Sequence, residues 1–251
     1  MKKVRFETLQ NKNATGQSHM RKFSILLFSF ISCQNSFAQT NPTLLPALFS
    51  NRSVKEGNSF LFNGREHIPY SGTIEGSPYY LSNDWQQGML VFQETGYRNV
   101  FLKYDLIKDE LIVRHHNGFL GVVLFTPRVQ AFMMGDKVFE NLQFENSVPM
   151  ISGFYEMIAK GKLSLYVKRS KILKETIIAT TLEKKFIDTD LYYIVKDGVF
   201  YPIRKKNELM ELMKEKKDVV NTHLKNEDIK FKGNPELTIS SAVNFYNSLN
   251  Y

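Results

Sequence analysis

One cysteine, one tryptophan and no apolar run of membrane-spanning length mark this chain of 251 residues. A single thiol, Cys33, cannot close an intrachain disulfide. It also lies in a segment read below as a leader, so thiol catalysis in the mature chain is excluded. The most apolar stretch, FSILLFSFISC from Phe23 to Cys33, is far short of the roughly 20 residues that cross a bilayer. G-x-S-x-G, H-E-x-x-H, P-loop and dinucleotide fingerprints are all missing. Their absence leaves open a hydrolase whose residues converge from distant positions.

What is present begins with that apolar run. Arg21-Lys22 precedes it and QNSFAQT follows, giving the basic, apolar and small-residue regions of a signal peptide. Ser36 and Ala38 occupy the two small-residue positions, so cleavage is expected between Ala38 and Gln39. A second reading is a loose lipobox, Phe30-Ile31-Ser32-Cys33, which would make Cys33 a lipidated N-terminus able to hold the protein on a membrane. Residues 1–19 are polar and lack periodicity. They either precede a true start at Met20 or extend the basic region.

The precursor carries a formal charge of +8. Residues 1–38 hold six Lys and Arg against a single Glu, so the remainder carries +3. That removes the main support for nucleic-acid binding, which requires a basic stripe on a folded surface.

The chain is organised around Trp85 to Leu124, where strand signals and turns alternate. Val100, Leu102, Tyr104 and Leu106 alternate with Phe101, Lys103 and Asp105, the period of a strand with one buried face. Lys108-Asp109 makes a turn to Leu111–Val113, and Asn117-Gly118 is the strongest hairpin signal in the chain. Further hairpins are expected about Gly135-Asp136, Lys160-Gly161 and Asp197-Gly198, and a strand at Phe60–Phe62 before Asn63-Gly64. Residues 40–57 read as a loose lead-in, 70–80 as loop or edge strand, and the stretch after Lys168 as polar. The period then lengthens to 3.6. One helix is expected from Glu208, capped by Asn207, with Leu209, Leu212, Met213, Val220 and Leu224 on its apolar face. Asn234-Pro235 starts a second, with Ile239, Ala242, Val243 and Tyr246 as its stripe.

The fold class expected is α+β: an antiparallel meander over 39–203, as an open sheet or half-barrel, with a two-helix cap over 204–251 on the same domain.

Candidate chemistry is sparse. His115-His116 is the only adjacent histidine pair, and on a strand its members point to opposite faces. Asp105, Asp109 and Glu110 cluster at a turn without the spacing of a calcium loop. His67 flanks a glycine turn, and His223 falls on the first helix. Tyr79-Tyr80 and Tyr192-Tyr193 read as cross-strand packing before ligand contacts. The basic run at Arg204-Lys205-Lys206 is diluted by Glu208, Glu211 and Glu215. No catalytic, cofactor or metal residue is assigned.

Three segments stand together: NVFLKYDLIKDELIV at 99–113, GFYEMIAKGKLSLYVKR at 153–169 and YYIVKDGVFYPIRKKNELMELM at 192–213. With FAQT at 37–40 they resemble a widespread group of uncharacterised exported proteins of Bacteroidetes-type bacteria. The resemblance implies export and a β-rich fold, and carries no site residue. The expectation is an exported envelope protein, periplasmic, attached to the outer membrane or secreted. It would act as a non-enzymatic binding or assembly module. The alternatives are an envelope hydrolase of glycan, peptide or lipid, and a subunit of a larger envelope complex. Its partner would be an apolar ligand such as a lipid, or another envelope protein, with a working surface expected where the meander meets the later hairpins and the terminal helices.

Overall fold

The computed structural model describes residues 54–56, 61, 64–145, 150–179 and 181–249. The readings at Cys33, Ala38 and Gln39, the leader, and most of the strand placed at 60–62 lie outside the described residues.

A long antiparallel sheet is laid down almost in chain order. Its strands are β1 (Val54–Glu56), β2 (Arg65–Glu66), β3 (Gln86–Phe92), β4 (Thr95–Asp105), β5 (Glu110–Arg114), β6 (Gly121–Val123), β7 (Val129–Met134), β8 (Lys137–Leu142), β9 (Gly153–Ala159), β10 (Leu163–Lys168), β13 (Leu191–Lys196) and β14 (Val199–Ile203). They run in the order β14-β13-β10-β9-β8-β7-β3-β4-β5-β6-β2, open at both ends. Between β10 and β13 the chain makes a separate two-stranded ribbon, β11 (Lys171–Ile178) and β12 (Thr181–Asp188).

The alternation in β4 becomes burial. Val100, Leu102 and Tyr104 are fully buried on one face. There Tyr104, Phe132, Phe139 and Phe154 meet with ring centroids 4.7 to 5.6 Å apart. Most of these meetings are edge-to-face, each adding about 0.5–1.5 kcal/mol beyond area burial. This face is therefore filled with side chains where a half-barrel ligand was to sit. A second cluster forms where Leu163, Leu165 and Ile194 pack beneath the helices α1 (Lys206–Leu212), α2 (Lys217–Asn226) and α3 (Pro235–Ser248).

The helical cap thus has three α-helices among the described residues, and not two. The helix expected to run on from Glu208 breaks at Met213. A 3₁₀ turn, Lys214–Lys216, separates α1 from α2, and none of its side chains is buried. The charged run Lys214-Glu215-Lys216-Lys217 gives that turn no apolar face to hold it straight. The start of α1 also differs. Lys205 is the cap residue, and the Glu208 carboxylate accepts from the backbone N–H of Arg204 (2.6 Å) and Lys205 (3.0 Å). At α3 the sequence reading holds: Asn234 accepts from Leu237 N–H at 2.9 Å and Pro235 follows.

Two strands depart from the expectation. β1, in the supposed lead-in, pairs in parallel with β4 at Gly96–Arg98, beyond the reach of β5. The ribbon β11–β12 replaces the polar segment. Its Ile172, Ile177, Ile178 and Leu182 are at least half exposed. With neither face buried along most of its length, it shows no alternation to read.

Candidate functional site

The other face of β4 to β6 is covered by the chain between β2 and β3. Backbone hydrogen bonds pin this cover down: His67 N–H to Gly121 O (2.8 Å), Tyr80 N–H to Tyr104 O (2.8 Å) and Leu106 N–H to Pro78 O (3.0 Å). Lys171 adds its ammonium to the carbonyls of Ser77 (2.8 Å) and Tyr79 (3.3 Å). Glu75 joins the edge of β12, and Phe186 of β12 meets the Tyr70 ring edge-on at 5.5 Å. Gly121 permits the close approach. A Cβ there would fall 2.9 Å from Ile112 Cγ2, 3.2 Å from His67 Cβ and 3.3 Å from Trp85.

Between cover and sheet lies a cleft of about 460 Å³. That is within the range of small-molecule sites, roughly 300–1,000 Å³. Its walls include Tyr70, Tyr79, Trp85, Lys103, Phe119 and Phe186. The Lys103 ammonium stands 4.7 Å from the Trp85 ring centroid and 5.0 Å from that of Tyr79. Burial lowers its pKa, against the opposing pull of Asp84. His67 Nε2 lies 2.6 Å from the Tyr79 hydroxyl, and its buried Nδ1 has no partner among the described residues. Burial depresses the imidazole pKa, with the Asp105 charge opposing. The ring is thus neutral near pH 7. Placing its proton on Nε2 is the cheaper tautomer, because the other would bury an N–H with no acceptor. His67 then donates to Tyr79, whose own hydroxyl proton is left for another acceptor. Burial, then Asp105, pushes the Tyr79 pKa up to about 12, so the phenol keeps that proton.

The carboxylates flagged in the sequence serve the turn and the core. Asp105, fully buried, accepts from Tyr70 OH (3.0 Å) and from the N–H of Ile107 (2.9 Å) and Lys108 (3.0 Å). Asp109 accepts from Tyr104 OH and Lys168 Nζ, both at 2.6 Å. Glu110 pairs with Arg65. His115 and His116 fall beyond the last residue of β5, so the strand rule does not govern them. Their rings lie side by side, 4.0 Å apart, where opposite faces were expected. His223 stacks on Phe245 at 4.1 Å and meets Ser241 Oγ at 3.0 Å, joining α2 to α3. Among the described residues no group of three His, Cys, Asp or Glu is placed to hold a metal ion.

A second polar cluster joins the two cores. Arg169 reaches Glu156 (2.6 Å), Asp190 (2.6 Å) and Glu236 (2.5 and 2.9 Å). Glu156 is wholly buried and also accepts from Tyr80 OH at 3.4 Å. Burial raises the Glu156 pKa and Arg169 opposes it. The nearby hollow at Tyr192, Tyr193, Pro202 and Phe231, where the later hairpins meet the helices, holds about 270 Å³. That is below the usual ligand range. The larger cleft lies instead on the Trp85–Leu124 scaffold and the loop before it.

No family model, curated protein or solved structure matches the chain.

Proposed function

We propose that this chain is an exported bacterial envelope protein that works as a non-enzymatic binding module, with the cleft between the 67–85 cover and strands β4 to β6 as its ligand site. Export rests on Arg21-Lys22, the apolar run to Cys33 and the Ala38-Gln39 cleavage sequence. Attachment through Cys33 is the second version of the same location. Binding rests on one observation above others: aromatic walls and a few polar groups converge on a recess of ligand size. The hydrolase alternative would need His115 or His116 to work with Asp105 or Asp109, and both carboxylates are engaged elsewhere.

Trp85 is the only tryptophan in the chain, so its emission reports on the cleft alone. Titration of the purified protein with the small-molecule fraction of a bacterial envelope extract is expected to shift that emission saturably. Emission indifferent to every fraction of the extract would overturn the reading.

A further inference from the structure

Resting on the binding reading above, we propose that the cleft selects a small cyclic ligand bearing one carboxylate, its ring face laid against the aromatic wall. Lys103 carries the argument. It makes no hydrogen bond or ion pair with a described residue, and its ammonium touches only the faces of Trp85 and Tyr79. Ring faces attract a cation but supply no lone pair to its N–H groups. A half-buried ammonium left this way is costly until an oxygen anion meets it.

Two other polar groups of the wall are also donors. Asn83 uses its Oδ1 to accept from Ser77 Oγ at 2.9 Å, which leaves its NH₂ to give. Tyr79 accepts from His67 and retains its own proton to give. Beside these donors stand the rings of Trp85, Tyr79 and Phe119, of which Phe119 is 92% exposed. Such an exposed ring at the mouth of a recess offers a face for a ligand ring to lie against. Two carboxylates set the limit on charge. Glu66 at the rim and Asp84 beside Lys103 are both exposed. Their repulsion disfavours a phosphate ester or any polyanion, while a single carboxylate is balanced by Lys103.

Two sources share this chemistry, aromatic acids and sugar acids. The full chain is titrated through Trp85 emission with phenylacetate against phenylacetamide, and with glucuronate against glucose. In at least one pair the acid is expected to bind about tenfold tighter than its neutral partner, the value of one charge-assisted hydrogen bond. The pair that shows the gap identifies the source. Lys103→Gln is expected to abolish the gap, and Lys103→Arg to keep it. Equal affinities within both pairs, a gap that survives Lys103→Gln, or no response to either acid overturns the proposal. The wild-type comparison stands even without the variants. If extract components move the emission while neither acid does, the binding reading survives and the carboxylate proposal fails.

Discussion

Arg169, just past the end of β10, and Lys103, within β4, are both cations drawn away from water, and they are matched in opposite ways. Arg169 meets three carboxylates, from β9, from the turn before β13 and from the first turn of α3. Each of its contacts ties one element to another, and four of its five N–H groups are bonded to carboxylates. Lys103 meets two aromatic faces and, among the described residues, no acceptor. A cation that is fully paired inside a fold specifies and holds the arrangement, whereas one held ready at a cleft without its partner is available to something that arrives. Lys168, bonded to Asp109 and to the Phe154 carbonyl (3.1 Å), belongs with Arg169.

The contrast can be broken at either end. Arg169→Met is expected to have the largest effect. It strands the buried Glu156 and two further carboxylates, and should cost about 3–5 kcal/mol in urea unfolding. Adding Glu156→Gln should return part of that loss, and a loss below about 1 kcal/mol would demote the cluster to a surface ion pair. Asp109→Asn comes next. It weakens the bonds from Tyr104 and Lys168 together, for about 2 kcal/mol by the same measurement. Gly121→Ala should cost about 1–3 kcal/mol, since its Cβ forces apart Ile112, His67 and Trp85. It should also shift Trp85 emission with no ligand added.

Acid supplies a fourth test. The folded protein holds His67 neutral, with its pKa below the ordinary 6.5. The unfolded chain therefore takes the proton first as pH falls. Stability from this group is complete above about pH 6.5, declines below it, and levels off once the folded value is passed. His67→Gln should remove that component of the pH dependence. Lys103→Gln should do least to stability, staying within about 0.5 kcal/mol of wild type because no ion pair is lost.

How far these regions were legible differs for physical reasons. Strand β4 declares itself because one of its faces is buried, and the hairpins β4–β5, β5–β6, β7–β8, β9–β10 and β13–β14 because their turns carry Asp109, Gly118, Gly135, Gly161 and Asp197-Gly198. The α3 stripe is equally plain, and Ile239, Ala242, Val243 and Tyr246 are all buried. The ribbon β11–β12 is silent because its apolar residues other than Phe186 are largely exposed. β1 is silent because three residues in parallel pairing leave no period. The histidine and acidic clusters drew notice through adjacency in sequence, yet the fold sends Asp105 and Asp109 to different partners. The cleft is built from residues far apart, Tyr70, Trp85, Lys103 and Phe186, which no local pattern groups. Two signals were present: the lone Trp85 at the edge of a strand, and Lys103 where β4 turns its less buried face outward.

Native mass spectrometry of the protein isolated from a bacterial envelope, wild type beside Trp85→Ala, tests the central claim most directly. The wild type is expected to carry a non-covalent adduct of small-molecule mass, and the variant to lose it. A wild type that flies bare, or an adduct that persists undiminished on Trp85→Ala, would contradict it.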